Sequence, residues 1–129
     1  MSTRFLMILS AVFLAAVGLV ASFAPAELLS YLKVPQADPL PLLVQLLGAS
    51  YLGFAITNWT AKDSMIGGIY ARPLSLGNCM HFFVGALALA KQVNIHGFHG
   101  PLIPVFIGYS LFAVAFANLV FRRGMACKP

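Results

Sequence analysis

The sequence predicts an all-α fold, an integral membrane up-down bundle of four transmembrane helices in a single domain over residues 1–129. Composition is the first observation behind this prediction. Hydrophobic residues make up 60% of the chain and charged residues only 9%, whereas about a quarter of the residues of a soluble domain are charged. The second observation is that four apolar stretches are each long enough to cross a bilayer, which takes about 20 helical residues. Lipid is therefore the expected solvent.

The first predicted helix covers approximately residues 5–23, which corresponds to roughly 28 Å at 1.5 Å per residue. Arg4 precedes this run and Ala24-Pro25-Ala26 follows it, so a cleaved signal peptide is the alternative interpretation. The apolar run is longer than the core of a usual signal peptide, and further apolar stretches follow it. We therefore favour a membrane helix that Pro25 ends.

A proline-rich connection leads to the second helix. Within it, residues 26–33 (AELLSYLK) predict a short helix lying along the membrane surface, with Tyr31 as an interfacial anchor. The second transmembrane helix is predicted over residues 40–61. It carries Ala49, Gly53 and Thr57 at intervals of four, a spacing of small residues that lets helices approach closely in lipid. This pattern predicts a helix-packing contact.

The third and fourth helices are predicted over residues 73–91 and 102–121, joined by a loop. Pro73 suits the first turn, where a missing N–H is no loss. Arg72 is expected just outside the helix, because the residue before a proline is biased away from helical geometry.

The basic residues predict the orientation of the bundle. Six of them fall at the N-terminus, in the connection after the second helix and in the C-terminal tail: Arg4, Lys62, Arg72, Arg122, Arg123 and Lys128. The other two connections hold only Lys33 and Lys91. Because cytoplasmic loops carry an excess of lysine and arginine, both termini of this multi-pass protein are predicted to be cytoplasmic.

Polar residues near the middle of the third helix are the main candidate site. Asn78 and His81 are three residues apart, so they share a helix face with Gly85 and lie close enough to touch or to share a partner. A polar group there is expected to face the bundle interior or a cavity, since lipid offers it no hydrogen bond. They either line a small-molecule pocket or proton path, or hydrogen-bond a neighbouring helix, for instance at Ser50 or Ser110.

A second candidate set is predicted at the cytoplasmic side of the bundle. Asn58 and Trp59 end the second helix, Arg72 precedes the third, and Asn118 lies near the end of the fourth. Arg72 could bind a phosphate or carboxylate head group, or cap helix carbonyls and satisfy the inside-charge rule. Trp59 is more simply an aromatic anchor at the membrane interface. Gln45 forms either an interhelical hydrogen bond or the outer lip of a pocket.

The acidic residues exclude several reaction classes. Glu27, Asp38 and Asp63 are the only acids in the chain, and all three are predicted in connections. A carboxylate-driven proton antiporter and paired-carboxylate hydrolysis are therefore not expected. The net charge of +5 forms no basic stripe, so nucleic acid is not an expected partner.

Histidines and cysteines predict no metal site and no disulfide. His96 and His99, in the predicted loop, supply half a metal site at best. A bis-histidine haem within one chain would need a second intramembrane histidine besides His81. Cys79 lies in the third helix and Cys127 in the tail, too far apart to bridge. The sequence does not identify a cofactor.

The leading hypothesis is a non-catalytic membrane protein, either an accessory subunit or a binder of an apolar molecule such as a lipid, quinone or sterol. Few polar groups on an apolar helix face are typical of a ligand site. The first alternative is a small oligomeric transporter or channel, with its path between copies of the chain. The second is a membrane enzyme that uses His81 on a lipid-soluble substrate. The bilayer, an apolar ligand, and a second copy or a larger membrane complex are the expected partners.

Overall fold

The computed structural model describes residues 3–63, 71–96, 100 and 102–125. Across these ranges the chain forms five helices and no strand: α1 (Thr3–Phe23), α2 (Pro25–Tyr31), α3 (Leu40–Ala61), α4 (Ala71–His96) and α5 (Leu102–Met125). The all-helical prediction is confirmed. By length and composition, α1, α3, α4 and α5 are each apolar enough to cross a membrane. The chain forms two compact units, Met1–Met65 with α1 to α3 and Ile66–Pro129 with α4 and α5.

The helix boundaries follow the prediction closely except in α4 and at the end of α5, which continues to Met125 instead of ending at residue 121. The second predicted helix matches α3 at both ends, and the short connecting helix is present as α2. However, α4 begins at Ala71, so Arg72 is helical, and it continues to His96 through half of the predicted loop. The predicted start of α4 was wrong. Pro73 lies in the first turn of α4, where N–H groups have no intrahelical acceptor, so the helix can begin two residues before the proline.

In the first unit, α1 and α3 form an antiparallel hairpin that is tightest at two glycines. A Cβ atom added to Gly18 would lie 3.0 Å from the carbonyl oxygen of Gly48. One added to Gly48 would lie 2.6 Å from the backbone nitrogen of Ser22. Only a hydrogen atom fits at these positions, so the two backbones touch directly.

The small residues that were predicted to pack against a neighbouring helix are not the ones that contact α1 in this hairpin. Ala49, Gly53 and Thr57 are all exposed, and a Cβ atom on Gly53 would meet nothing within 4 Å. The prediction was wrong for the packing of α3 on α1. Gly48, one position earlier, faces α1 instead, and a glycine permits a closer approach than Ala49 would.

The short helix α2 packs on this hairpin through Leu29, which is only 4% exposed. It ends where Lys33 adopts the left-handed conformation, with φ 56°. The N–H of Val34 then donates to the carbonyl of Leu29 at 2.9 Å, the bond of a Schellman ending. Tyr31 points away from the core and is largely exposed.

In the second unit, α4 and α5 form an antiparallel hairpin held by aromatic side chains. Phe82 of α4 is fully buried and stacks on Phe112 and Phe116 of α5, at ring-centroid distances of 4.8 and 5.7 Å. The Tyr109 ring meets Phe82 edge-on at 5.3 Å. These rings supply the large apolar area that stabilises the pair.

Candidate functional site

Four polar side chains are buried among the described residues: Ser10 and Asn58 in the first unit, Ser75 and Asn78 in the second. None is more than 1% exposed. Polar groups buried among apolar helices are costly unless they are hydrogen-bonded, so their bonds show which of them serve packing.

The pair in the first unit joins two helices. The Asn58 side-chain amide donates to the Ser10 hydroxyl at 3.0 Å, and that hydroxyl donates to the Met7 carbonyl at 3.0 Å. Since Ser10 and Asn58 are both fully buried, the link is enclosed. It is an interhelical hydrogen bond of the kind that stabilises helix packing.

The buried pair in the second unit bonds within its own helix. The Ser75 hydroxyl donates to the Ala71 carbonyl at 2.6 Å, and the Asn78 amide donates to the Leu74 carbonyl at 3.0 Å. Asn78, predicted to act beside His81, is therefore enclosed and not presented on an open face.

His81 lies beside Tyr109 at the edge of the aromatic cluster. The Tyr109 hydroxyl is 3.4 Å from His81 Nε2, at the long end of hydrogen bonding, and which group donates depends on the imidazole tautomer. The two ring centroids are 5.6 Å apart, and the Phe82 ring meets the imidazole edge-on at 5.1 Å. Tyr109 is buried, whereas His81 is only partly covered. The pair thus joins the core to an accessible surface.

Two glycines flank His81 at four residues on either side, and they differ in what occupies the space beside them. A Cβ atom on Gly85 would overlap the Tyr109 ring, so Gly85 provides the room in which this ring sits. A Cβ atom on Gly77 would meet nothing within 4 Å. The α4 surface next to His81 is therefore filled on one side and open on the other.

The remaining predicted site residues are mostly exposed. Arg72 lies on the surface of the first turn of α4, Gln45 on α3 and Asn118 on α5. Trp59 is 50% exposed, and the Lys62 ammonium lies 4.3 Å from its ring centroid. Asn58 is buried, whereas the neighbouring Trp59 is half exposed. These two adjacent residues of α3, which were predicted to belong to one site, therefore do not share a site.

Two serines were predicted as partners of His81: Ser110, which is adjacent to the observed partner Tyr109 on α5, and Ser50, which lies on α3. The Ser110 hydroxyl donates to the Phe106 carbonyl at 2.8 Å, and the Ser50 hydroxyl to the Leu46 carbonyl at 3.1 Å. Tyr109, adjacent to Ser110, is the residue beside His81. Ser10 was missed as well, although a hydroxyl in the middle of the first apolar run was the signal that could have identified it.

Some predictions fall on residues that are not described. His99, Cys127 and Lys128 lie outside the described residues, as do the side chains of His96, Arg122 and Arg123. Among the residues that are described, no group of three histidine, cysteine or acidic side chains could hold a metal ion.

No protein-family model matches the chain, and searches of curated proteins and of solved structures find no significant match.

Proposed function

We propose that this protein is a non-catalytic integral membrane protein whose α4–α5 hairpin binds an apolar small molecule at His81 and Tyr109. The observation that carries the proposal is their contact at 3.4 Å, at the boundary between a buried aromatic cluster and an open helix surface. A mostly apolar surface with a small number of placed polar groups is the usual composition of a ligand site.

The contrast between the two polar pairs supports this assignment. The Asn58–Ser10 pair is enclosed and joins helices, so packing accounts for it. His81 is partly exposed on an apolar helix, and an ionisable residue in the middle of a membrane-length helix is by default a candidate functional residue. In this proposal Tyr109 is the second polar group of the site, a role that the sequence suggested for Asn78, because the Asn78 side chain is buried.

We further propose that the four long helices cross the bilayer in an up-down order, with both termini cytoplasmic. The supporting feature is a charged and aromatic end on the first unit. Arg4 Nε lies 3.0 Å from Asp63 Oδ1, which brings the start of α1 beside the end of α3. The Trp59–Lys62 contact lies at this same end, and tryptophan with lysine is typical of a membrane interface.

The decisive experiment asks whether the full-length protein carries a molecule that depends on His81. The protein is purified from membranes in a mild detergent, and its organic extract is quantified by mass spectrometry. The wild type is expected to retain an apolar compound in near-stoichiometric amount, and His81→Ala to lose most of it. Thr60→Ala is the matched control, because the Thr60 hydroxyl bonds its own helix at Ile56 and is exposed.

Helical content and elution volume establish that each variant is folded. An empty wild-type extract, or equal cargo in His81→Ala and wild type, would contradict the ligand-binding proposal and favour an accessory-subunit role. Orientation is tested separately with a reporter fused to either terminus. A reporter exposed on the outer side would contradict the proposed cytoplasmic termini.

A further inference from the structure

The net charge of this chain is confined to its second unit. In the first unit, Met1–Met65, three basic and three acidic residues balance. The second unit, Ile66–Pro129, has no acidic residue in its sequence, and its five basic residues account for the whole net charge of +5. These five are Arg72, Lys91, Arg122, Arg123 and Lys128. The cations of the second unit therefore have no acidic side chain of their own unit to pair with.

In the first hairpin, the basic residues at the start of α1 and the end of α3 are paired within the unit. Arg4 Nε lies 3.0 Å from one carboxylate oxygen of Asp63, and Lys62 Nζ lies 3.7 Å from the other. The Lys62 ammonium also donates to the Trp59 carbonyl at 3.2 Å. Both cations are engaged by groups of their own hairpin, so this end attracts anions only weakly.

The second hairpin has three arginines at the corresponding end, where α4 starts and α5 finishes. Phe82 of α4 stacks on the two α5 phenylalanines described above, which sets the level of one helix against the other. Arg72 is ten residues before Phe82, so its level on the antiparallel α5 is about ten residues beyond those two rings, in the last turn. Arg122 and Arg123 belong to that turn. We call these three residues the arginine end of the hairpin.

Three arginines without an acidic residue in their unit favour a phosphate group as the partner. A guanidinium presents paired N–H donors that match the oxygens of a phosphate, and it remains charged throughout the physiological pH range. Basic residues clustered where membrane helices end attract anionic phospholipids. Arg72 is exposed in the first turn of α4, so its side chain is accessible to such a group.

The surface that continues from Arg72 favours a lipid over a soluble phosphate compound. Large apolar side chains follow Arg72 along one side of α4, at intervals of three or four residues, and each is more than half exposed. They are Leu76, Met80, Phe83 and Leu87. This row extends about 22 Å from Arg72, whereas one leaflet of the hydrocarbon core is about 15 Å thick. An acyl chain can therefore lie along the row while its phosphate lies at Arg72.

We infer that the arginine end binds the head group of an anionic phospholipid, with an acyl chain along the exposed row of α4. This inference rests on the proposed bilayer crossing and is independent of the apolar ligand proposed at His81. Arginines that only set the orientation of the helices require no preference among lipids, so lipid selectivity distinguishes the two roles.

The test measures the binding of single lipids to the full-length protein in a mild detergent. Dioleoylphosphatidylglycerol is the anionic probe. Dioleoylphosphatidylcholine, which carries the same acyl chains on a zwitterionic head group, is the reference. Native mass spectrometry counts the bound lipids over a concentration series. The wild type is expected to bind its first molecule of the anionic lipid roughly tenfold more tightly than its first molecule of the reference, or better.

Substitutions at the arginine end are expected to remove this preference stepwise. Arg72→Gln should weaken binding of the anionic lipid roughly three- to sixfold, the contribution of one basic residue near an anionic surface. Replacing all three arginines by glutamine should make the two lipids bind equally. Arg4→Gln is the matched control, because it removes an arginine from the corresponding end of the first hairpin, where Asp63 pairs with it. Its affinity for the anionic lipid should be unchanged.

Arg72→Lys tests a direct contact with the phosphate, since lysine keeps the charge and loses the paired donors. It is expected to weaken binding of the anionic lipid roughly two- to threefold, because bidentate contacts are lost. Equal binding by Arg72→Lys and wild type would exclude a paired guanidinium contact. Helical content and elution volume establish that each variant is folded, and the lysine variant provides the test if a glutamine variant is not.

The contrary results distinguish the sources of the phosphate and the two proposals. Equal affinity for the two lipids in the wild type, or an undiminished preference after all three replacements, would overturn the inference and leave the arginines an orientation role alone. Displacement of the anionic lipid by glycerophosphoglycerol, its soluble head group, would assign the arginine end to a soluble phosphate compound instead. The cargo that depends on His81 is measured separately, so the proposed function stands or fails on its own extract.

Discussion

The two helix hairpins of this protein solve the same packing problem with different residues. In Met1–Met65, α1 and α3 touch backbone to backbone at Gly18 and Gly48, and their polar link is enclosed. In Ile66–Pro129, α4 and α5 are held by aromatic rings around Phe82, and their polar pair lies at the edge. A polar residue in an apolar helix is therefore not informative by itself. Its exposure and the helix to which it bonds distinguish a packing role from a candidate site.

The sharpest test of this contrast is the glycine contact in the first hairpin. Gly48→Ala should destabilise the protein by about 1–3 kcal/mol, because the added methyl group would overlap the backbone at Ala21 and Ser22. Gly53→Ala is the control on the same helix and should have no such cost, since its position is open. The measurement is unfolding in mixed detergent micelles by addition of sodium dodecyl sulfate. Equal midpoints for the two variants would show that the hairpin does not depend on the close approach.

The corresponding glycine in the second hairpin should affect the site more than the fold. Gly85→Ala displaces the Tyr109 ring and is expected to destabilise the protein by about 1–2 kcal/mol, because the side chain has to leave its preferred position. The cargo that depends on His81 should fall with it. Gly77→Ala, at an open position, should leave stability unchanged or slightly raised, because alanine favours a helix over glycine. Retained cargo in Gly85→Ala would show that Tyr109 need not be held where it is.

Mutation of the buried Ser10–Asn58 pair is expected to have a smaller effect, confined to the free energy of unfolding. A double-mutant cycle with Ser10→Ala and Asn58→Leu should give a coupling free energy of about 0.6 kcal/mol, the average for hydrogen bonds between membrane helices. The extracted cargo should be unaffected by any member of the cycle. Loss of cargo with intact folding would mean that the first unit also contributes to ligand binding, and the distinction between the two hairpins would fail.

The smallest effect is expected at the ion pair between Arg4 and Asp63. Both side chains are more than half exposed, so water and salt screen their attraction. Arg4→Gln should change the free energy of unfolding by about 0.2–1 kcal/mol at low salt and by less at high salt. Lys62→Gln is a useful comparison, because the Lys62 ammonium nitrogen lies 3.7 Å from the second carboxylate oxygen of Asp63. An effect of Arg4→Gln that did not decrease with salt would show that this end of the hairpin is less accessible to ions than its exposure indicates.

The sequence determined the helices of this protein because runs of apolar residues and the prolines between them specify where a membrane-length helix begins and ends. It predicted α3 at both ends and placed α2 in the connection, and it singled out His81 because a histidine in such a run is unusual. The tertiary structure alone decided which side chains meet. Gly48 faces α1 where Ala49 was expected, and Tyr109 contacts His81 where Ser110 was expected. Each difference corresponds to turning the helix about its axis by one residue, roughly 100°. Hydropathy is nearly insensitive to that rotation, whereas close packing of side chains allows only one register.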